Sequence, residues 1–186
     1  MTKLIILDRD GVINQDSDAY IKSADEWQPI PGSIDAIARL SVAGYSVVVA
    51  TNQSGLGRGL FDLDDLEAIH DKMRELVEAA GGHIAGIYYC PHLPTAGCAC
   101  RKPAPGLLDA IAEDFSTSLA GVVFIGDSLK DLQAGVEREC QPMLLRTGKG
   151  AGYESQLPDE VNEQVRNAQV HDDLASAVDN FLDERN

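Results

Sequence analysis

Two aspartates, Asp8 and Asp10, stand two residues apart where the apolar run Leu4 to Leu7 gives way to Arg9 and Gly11. Residues spaced by two on an extended chain point the same way, so both carboxylates can serve one site. Paired carboxylates divide labour: one attacks as a nucleophile or holds a metal, and the other shuttles a proton. The competing interpretation is a turn in which Asp-x-Asp-Gly satisfies its own backbone. Three further stations carry polar chemistry. Thr51 and Asn52 offer a hydroxyl and an amide suited to a phosphoryl oxygen, unless they only cap or turn the chain. Arg101 is a planar fork and Lys102 a point charge, both able to bind an oxyanion rather than simply face solvent. Pro103 keeps Lys102 on an extended segment. Gly126-Asp127-x-x-x-Asp131 adds two acids, enough to complete a Mg²⁺ site or, alternatively, to cap a helix.

A second cluster is local. Cys90, His92, Cys98 and Cys100 place three thiols and one imidazole within eleven residues. Those ligand types at that spacing suit a closed tetrahedral Zn²⁺ site with no position left for a catalytic water. Pro91, Pro94 and Gly97 leave little else to order this loop. Zinc would fix it and so present Arg101 and Lys102. Cys140 lies apart and reads as a small buried hydrophobe. His70, His83 and His171 are assigned to helix or loop surfaces, without function.

Something must carry these stations to one place. Short apolar runs at Leu4 to Leu7, Ser46 to Ala50, Ile84 to Tyr89, Val122 to Ile125 and Met143 to Leu145 read as strands buried on both faces. Between them, Ile34, Ile37 and Ala38 keep helical spacing after Pro31-Gly32-Ser33. Leu66, Ile69, Met73, Leu76 and Val77 do so behind Asp62 as a cap, and Leu107, Leu108, Ile111 and Ala112 follow Pro105-Gly106. Leu174, Ala177, Val178, Phe181 and Leu182 make a last amphipathic helix. Alternating strands and helices mean an α/β fold, a Rossmann-like parallel sheet flanked by helices. Its ligand site lies beyond the carboxyl ends of the strands, where all four stations fall. The stretch from Gly148 to Gln169 is the least patterned and is expected to be loop with a short helix.

Charge narrows the partners. Thirty acidic against fifteen basic side chains leave a net charge of −15, so phosphate backbones and anionic membranes are repelled by the surface as a whole. Yet Arg9, Arg58, Arg101, Lys102, Lys130, Arg146 and Lys149 fall in or beside the strand-following loops, as a pocket for a compact anion requires. A chain of 186 residues is expected to form one domain, residues 1–186. The apolar run at its start is too short for a secretory or membrane-spanning segment. Clustered cysteines without such a segment indicate metal binding in a reducing, cytoplasmic setting. No exposed apolar stripe forces an interface, so a monomer is expected.

Together the four stations resemble the haloacid dehalogenase-like phosphatases, from Leu4 to about Arg146. In that family the first aspartate attacks phosphorus to form an aspartyl-phosphate. The second protonates the leaving oxygen and then activates water. The resemblance implies Asp8 as nucleophile and Asp10 as acid/base, with Thr51 and Lys102 steadying the phosphoryl group. It implies Mg²⁺ held by Asp8, the backbone carbonyl of Asp10, and Asp127. There is no room for a large cap domain, so the fold is expected to be capless, covered only by Asn14 to Pro29 and the zinc loop. Within the superfamily, LDRDGVIN, TNQSGLGRGLF, CPH, CACRKPAPG and IGDSLKD resemble the D-glycero-D-manno-heptose 1,7-bisphosphate 7-phosphatase family of lipopolysaccharide heptose synthesis. That implies a small phosphorylated sugar as substrate and Arg101 as its recognition residue. It places Asp16, Tyr20, Asn52, Gln53 and Ser54 on sugar- and phosphate-contacting segments, with Arg58 reaching the second phosphate. Histidinol-phosphate phosphatases share the stations and a zinc loop of similar length, so only the SGLGRGLF segment and the lack of an appended dehydratase domain favour the heptose enzymes. A receiver-type signalling domain, or an inactive phosphate-binding module, is the reading from another class. Asp10 and the zinc loop count against the first, and the complete set of carboxylates against the second.

Overall fold

The chain's apolar runs are buried because they occupy both faces of one sheet. The computed structural model describes residues 3–185. Its strands are β1 (Leu4–Leu7), β2 (Ser46–Asn52), β3 (Ile84–Cys90), β4 (Val123–Gly126), β5 (Gln141–Leu145) and β6 (Gln169–His171). They pair in parallel throughout, in the order β3-β2-β1-β4-β5-β6. Side-chain alternation splits the runs between two cores. Ile5, Leu7, Val47, Val49, Val123 and Ile125 face a core closed by Ile37, Met73 and Val178. Leu4, Ile6, Val48, Ala50 and Phe124 face another, closed by Leu108, Ile111 and Ala134. Each such Ile or Leu contributes about 1.5–3 kcal/mol by leaving water.

Those closing residues belong to helices α1 (Ser33–Val42), α3 (Leu63–Ala79) and α8 (Leu174–Asp183) on the first face. On the second they belong to α4 (Gly106–Asp114) and α5 (Leu129–Val136). Asp62 caps α3 as expected, within a box in which its carboxylate accepts from Asp65 N–H at 2.9 Å. Short helices α2 (Ser54–Gly57), α6 (Gly150–Glu154) and α7 (Glu163–Arg166), and a 3₁₀ turn at Leu157–Asp159, complete the inventory.

Three differences from the sequence reading bear on function. Strand β2 continues past its apolar run, so Thr51 and Asn52 lie in the sheet, opposite Tyr89 and Cys90. The stretch expected to be loop with a short helix contains α6 and α7 and ends on Gln169, the first residue of the sixth strand. Val170 there pairs with Leu144, but three half-buried residues are too few to show a period. Helix α2 is a single turn of Ser-Gly-Leu-Gly, a composition with almost no helical propensity of its own.

The strand order reverses between β1 and β4, the point at which open α/β sheets leave a crevice for ligands. Asp8 follows the first of these strands and Asp127 the second.

Candidate active site

Asp8 leaves β1 with its N–H bonded to Ile125 O at 2.9 Å, which fixes its height between β1 and β4. Its Oδ1 accepts from Arg9 N–H at 2.8 Å and from Lys102 Nζ at 2.9 Å. Lys102 spends its other two protons on Ala50 O at 2.7 Å and Asp131 Oδ1 at 2.6 Å. Burial opposes that ammonium's charge, but Asp131 and Asp8 outweigh it and hold the group above its ordinary range. Lys102 is thus fastened onto Asp8. Asn52 explains its placement: the side-chain amide accepts from Lys102 N–H at 3.0 Å and donates to Lys102 O at 3.1 Å. The expected substrate amide is therefore largely a clamp on the lysine's backbone.

Asp127 enters from β4. Its Oδ2 accepts from Lys149 N–H at 2.9 Å. A Cβ built on either Gly11 or Gly148 would collide with this carboxylate. Both glycines also have positive φ, so close approach and conformation demand the same residue type. Carboxylate oxygens of Asp8, Asp127 and Asp131 lie within 4.8 Å of one another. Burial, then Asp131, pushes Asp8 up to about 7 against the pull of Lys102. Burial, then Asp8 and Asp131, pushes Asp127 up to about 8. Acids crowded until they prefer their protons are a donor set that fits a divalent cation. Asp131 has both oxygens engaged, one by Lys102 and the other by Ser128 Oγ at 2.8 Å. Its first role is to hold the lysine and cap α5, which leaves Asp8 and Asp127 better placed as ligands.

Asp10 is held differently. Its Oδ1 accepts from Arg9 Nε at 3.1 Å, Arg9 Nη2 at 2.9 Å and Asn14 Nδ2 at 2.9 Å. Its Oδ2 accepts from Arg9 Nη2 at 3.1 Å and Gln53 Nε2 at 2.8 Å. Burial favours the acid, but Arg9, Asn14 and Gln53 overcome it and keep the carboxyl below the usual range. Gln53 also donates to Thr51 Oγ1 at 2.9 Å. That leaves the Thr51 hydroxyl proton free for another acceptor.

These groups floor a cavity of about 290 Å³. Of the residues expected at the site, Asp8, Asp10, Asp16, Tyr20, Thr51, Asn52, Gln53, Ser54, Arg101, Lys102 and Asp127 all line it. Arg58 does not: it is exposed, with its guanidinium 5.9 Å from the centre of the Tyr20 ring. The pocket cations also need sorting. Arg101, Lys102, Lys130 and Lys149 line the cavity. Arg9 is fully buried beneath it, and Arg146 is paired with Glu154 and Asp172. The cover has a third part beyond the two expected loops. Tyr153 and Lys149 come from the weakly patterned stretch, and Lys149 pairs with Asp16 at 3.5 Å and Asp18 at 3.2 Å. Nothing in the periodicity marked Tyr153, because α6 is a single short turn.

Cys90, His92, Cys98 and Cys100 do converge. Cys98 Sγ lies 3.7 Å from both Cys90 Sγ and Cys100 Sγ, and His92 Nδ1 lies 3.5 Å from Cys90 Sγ. A tetrahedron with Zn–S near 2.3 Å has edges of about 3.8 Å between sulfurs and about 3.6 Å to a nitrogen. Cys100 Sγ lies somewhat closer, 3.2 Å from both His92 Nδ1 and Cys90 Sγ. The donor set fits zinc. Arg101 Nη1 donates to His92 O at 3.4 Å, so this loop orients a cavity cation. Cys140 is buried as expected, whereas His70, assigned to a surface, is 1% exposed and faces Arg9.

Comparison with known proteins agrees with this geometry. A family model described as haloacid dehalogenase-like hydrolase matches residues 2–137. The chain is 56% identical over 174 residues to D-glycero-β-D-manno-heptose-1,7-bisphosphate 7-phosphatase of Pseudomonas putida, covering 94% of this chain and 96% of that one. It is 52% identical over 184 residues to the protein of the same name from Bordetella bronchiseptica, covering 98% and 99%. The crystal structure of D,D-heptose 1,7-bisphosphate phosphatase from B. bronchiseptica, complexed with magnesium and phosphate, matches with a TM-score of 0.93 over 98% of this chain and 99% of that one. With two aspartates at the end of β1, a lysine fastened to the first, and relatives this similar along nearly its whole length, the chain belongs to the haloacid dehalogenase-like hydrolase family.

Proposed function

We propose that this protein is a Mg²⁺-dependent phosphatase that removes the 7-phosphate of D-glycero-β-D-manno-heptose 1,7-bisphosphate through an aspartyl-phosphate on Asp8. One observation carries the reading: Asp8 is held by Lys102, beside Asp127 and Asp10, on the floor of a cavity that three further cations line. Asp8 attacks phosphorus, and the ester oxygen departs with a proton from Asp10. Asp10 then takes a proton from water, which attacks the aspartyl-phosphate, releases inorganic phosphate and restores Asp8. The donors around Asp10 favour its anion, so it is ready as a base and must be loaded with a proton before acting as an acid. Lys102 offsets part of the negative charge of Asp8 and Asp131, and the hydroxyl of Thr51 donates to the phosphoryl oxygens.

Magnesium, which the Bordetella relative was crystallised with, would be held by Asp8, Asp127 and the Asp10 carbonyl, and when bound lets a dianionic phosphate approach a carboxylate. Zinc would be held by Cys90, His92, Cys98 and Cys100 and is structural: all four positions are protein ligands. Asp16, Tyr20, Ser54 and Arg101 contact the sugar and its second phosphate, Asn52 and Gln53 act through Lys102 and Asp10, and Arg58 supports Tyr20. Residues 1–186 work as one catalytic domain, monomeric and cytoplasmic. Among the described residues no helix is long and apolar enough to cross a membrane, and a zinc site of three thiolates suits a reducing compartment. The relatives above bear the heptose name, which favours that substrate over histidinol phosphate.

The test is phosphate release with Mg²⁺ from both anomers of the heptose bisphosphate and from histidinol phosphate. At least a tenfold preference in kcat/KM for the β anomer, about 1.4 kcal/mol, is expected. Preference for histidinol phosphate would overturn the substrate and keep the catalytic roles. No release from any of them would overturn the enzyme itself.

A further inference from the structure

Beneath Asp10 lies a buried pair that the reaction above leaves without a role. Arg9 is fully buried, and it grips the Asp10 carboxylate with Nε and Nη2. Its remaining nitrogen, Nη1, points the other way and lies 3.2 Å from Nε2 of His70, which sits on α3, 61 residues along the chain. His70 is itself 1% exposed.

A guanidinium has five N–H groups and no acceptor, and one buried without partners is strongly unfavourable. Nε2 of His70 can meet this need only with its lone pair, so the imidazole must be neutral with its proton on Nδ1. Burial, then Arg9, holds its pKa down at about 3, so the acceptor is present at every working pH. The guanidinium is therefore pinned at both ends, by Asp10 on one side and by His70 on the other. Because a guanidinium is planar and rigid, pinning Nη1 fixes the direction from which Nε and Nη2 meet the carboxylate. Asn14 and Gln53 each touch one oxygen of Asp10, whereas Arg9 alone spans both.

We propose that His70 is a positioning residue: by anchoring Arg9 Nη1 it sets the orientation of the Asp10 carboxyl that delivers the proton to the leaving oxygen. This rests on Asp10 being the acid/base. The residue touches neither substrate nor reacting atoms, so its signature is selective. A misaimed acid slows substrates whose leaving oxygen needs a proton and spares those whose leaving group departs as a stable anion.

The experiment measures kcat/KM of the full chain with Mg²⁺ on heptose 1,7-bisphosphate and on 2,4-dinitrophenyl phosphate, because that ratio is set by the steps up to departure of the leaving oxygen and not by the later hydrolysis of the aspartyl-phosphate, which both substrates share. His70→Leu, His70→Gln and Asp10→Asn are compared with the unaltered protein. Expected for His70→Leu is a loss of about 10- to 100-fold in kcat/KM on the sugar phosphate, with less than about threefold change on the aryl ester. His70→Gln, whose amide oxygen can take the place of Nε2 as acceptor, should recover most of that loss. Asp10→Asn should show the same selectivity more strongly. Should His70→Leu fail to fold, His70→Asn keeps a polar group but withdraws it from Arg9, and the same selective loss is expected. Equal loss on both esters, or none on either, while Asp10→Asn remains selective, would overturn the proposal and leave His70 a packing residue. An unselective Asp10→Asn would instead overturn the assignment of Asp10, and the proposal with it.

Discussion

The described residues include two clusters of side chains able to ligate a metal, and they are built on opposite principles. The thiol cluster takes four ligands from eleven consecutive residues, Cys90 to Cys100, around one loop. The carboxylate cluster joins Asp8, at the end of β1, to Asp127 and Asp131, at the end of β4 and in α5, more than a hundred residues further along the chain. The first is closed: its ligands face one another and leave no vacant position. The second opens on a cavity, and its members are pushed together until Asp8 and Asp127 prefer their protons. A local, saturated cluster is suited to shape a loop, and a distributed, crowded one to bind and transform a ligand. Folding supplies the crowding: the packed sheet holds like charges together that would otherwise separate.

The sharpest way to break this contrast is to remove one member from each cluster. Asp8→Asn should lower turnover at least about 10,000-fold, as loss of a nucleophile does, with no fall in melting temperature because a crowded charge has been relieved. Circular dichroism melts alongside phosphate release would check both halves, and retained activity would sink the mechanism. Cys98→Ser should act in the reverse order. Bound zinc falls below one per chain by metal analysis, and the melting temperature drops by about 5–10 °C. Activity then declines as Arg101 and Lys102 lose their support.

The carboxylate cluster should also respond to pH. Asp8 and Asp127 hold their protons to about 7 and 8 in the metal-free protein. Mg²⁺ must displace them, so its affinity should rise with pH by about tenfold per unit for each proton released, up to about a hundredfold where both are held, measurable by calorimetry with proton release. The stability of the metal-free protein runs the opposite way. A carboxyl raised on folding contributes stability below its ordinary value, and that contribution is lost as pH rises through 7 to 8. Mg²⁺ should therefore raise the melting temperature more at pH 8.5 than at pH 6. The smallest effect is expected at the rim. Lys149→Ala removes the ties to Asp16 and Asp18 but keeps the backbone N–H on Asp127. It should raise KM two- to fivefold and leave kcat nearly unchanged, as screened surface pairs do. A large loss of kcat there would show that the cover takes part in the chemistry.

Much of this was legible in the chain because local physics decided it. Continuous apolar runs announced β1 to β5, Asp62 announced the start of α3, and four ligand-type residues in eleven announced a zinc loop. The four stations could be assigned to one sheet edge, because the carboxyl ends of parallel strands must share it. What the sequence could not decide depends on which partner each group meets. Asn52 and Gln53 have the same chemistry as free substrate ligands, yet the fold spends them on Lys102 and Asp10. Arg9 counted as a pocket cation and His70 as a surface residue, but both are buried, and they face each other. Strand β6 and Tyr153 lie in segments too short to carry a period. Composition and spacing determined the kinds of site this chain can build; tertiary packing alone decided which partners each carboxylate meets, because burial and partners, and not residue type, set where a charge can rest.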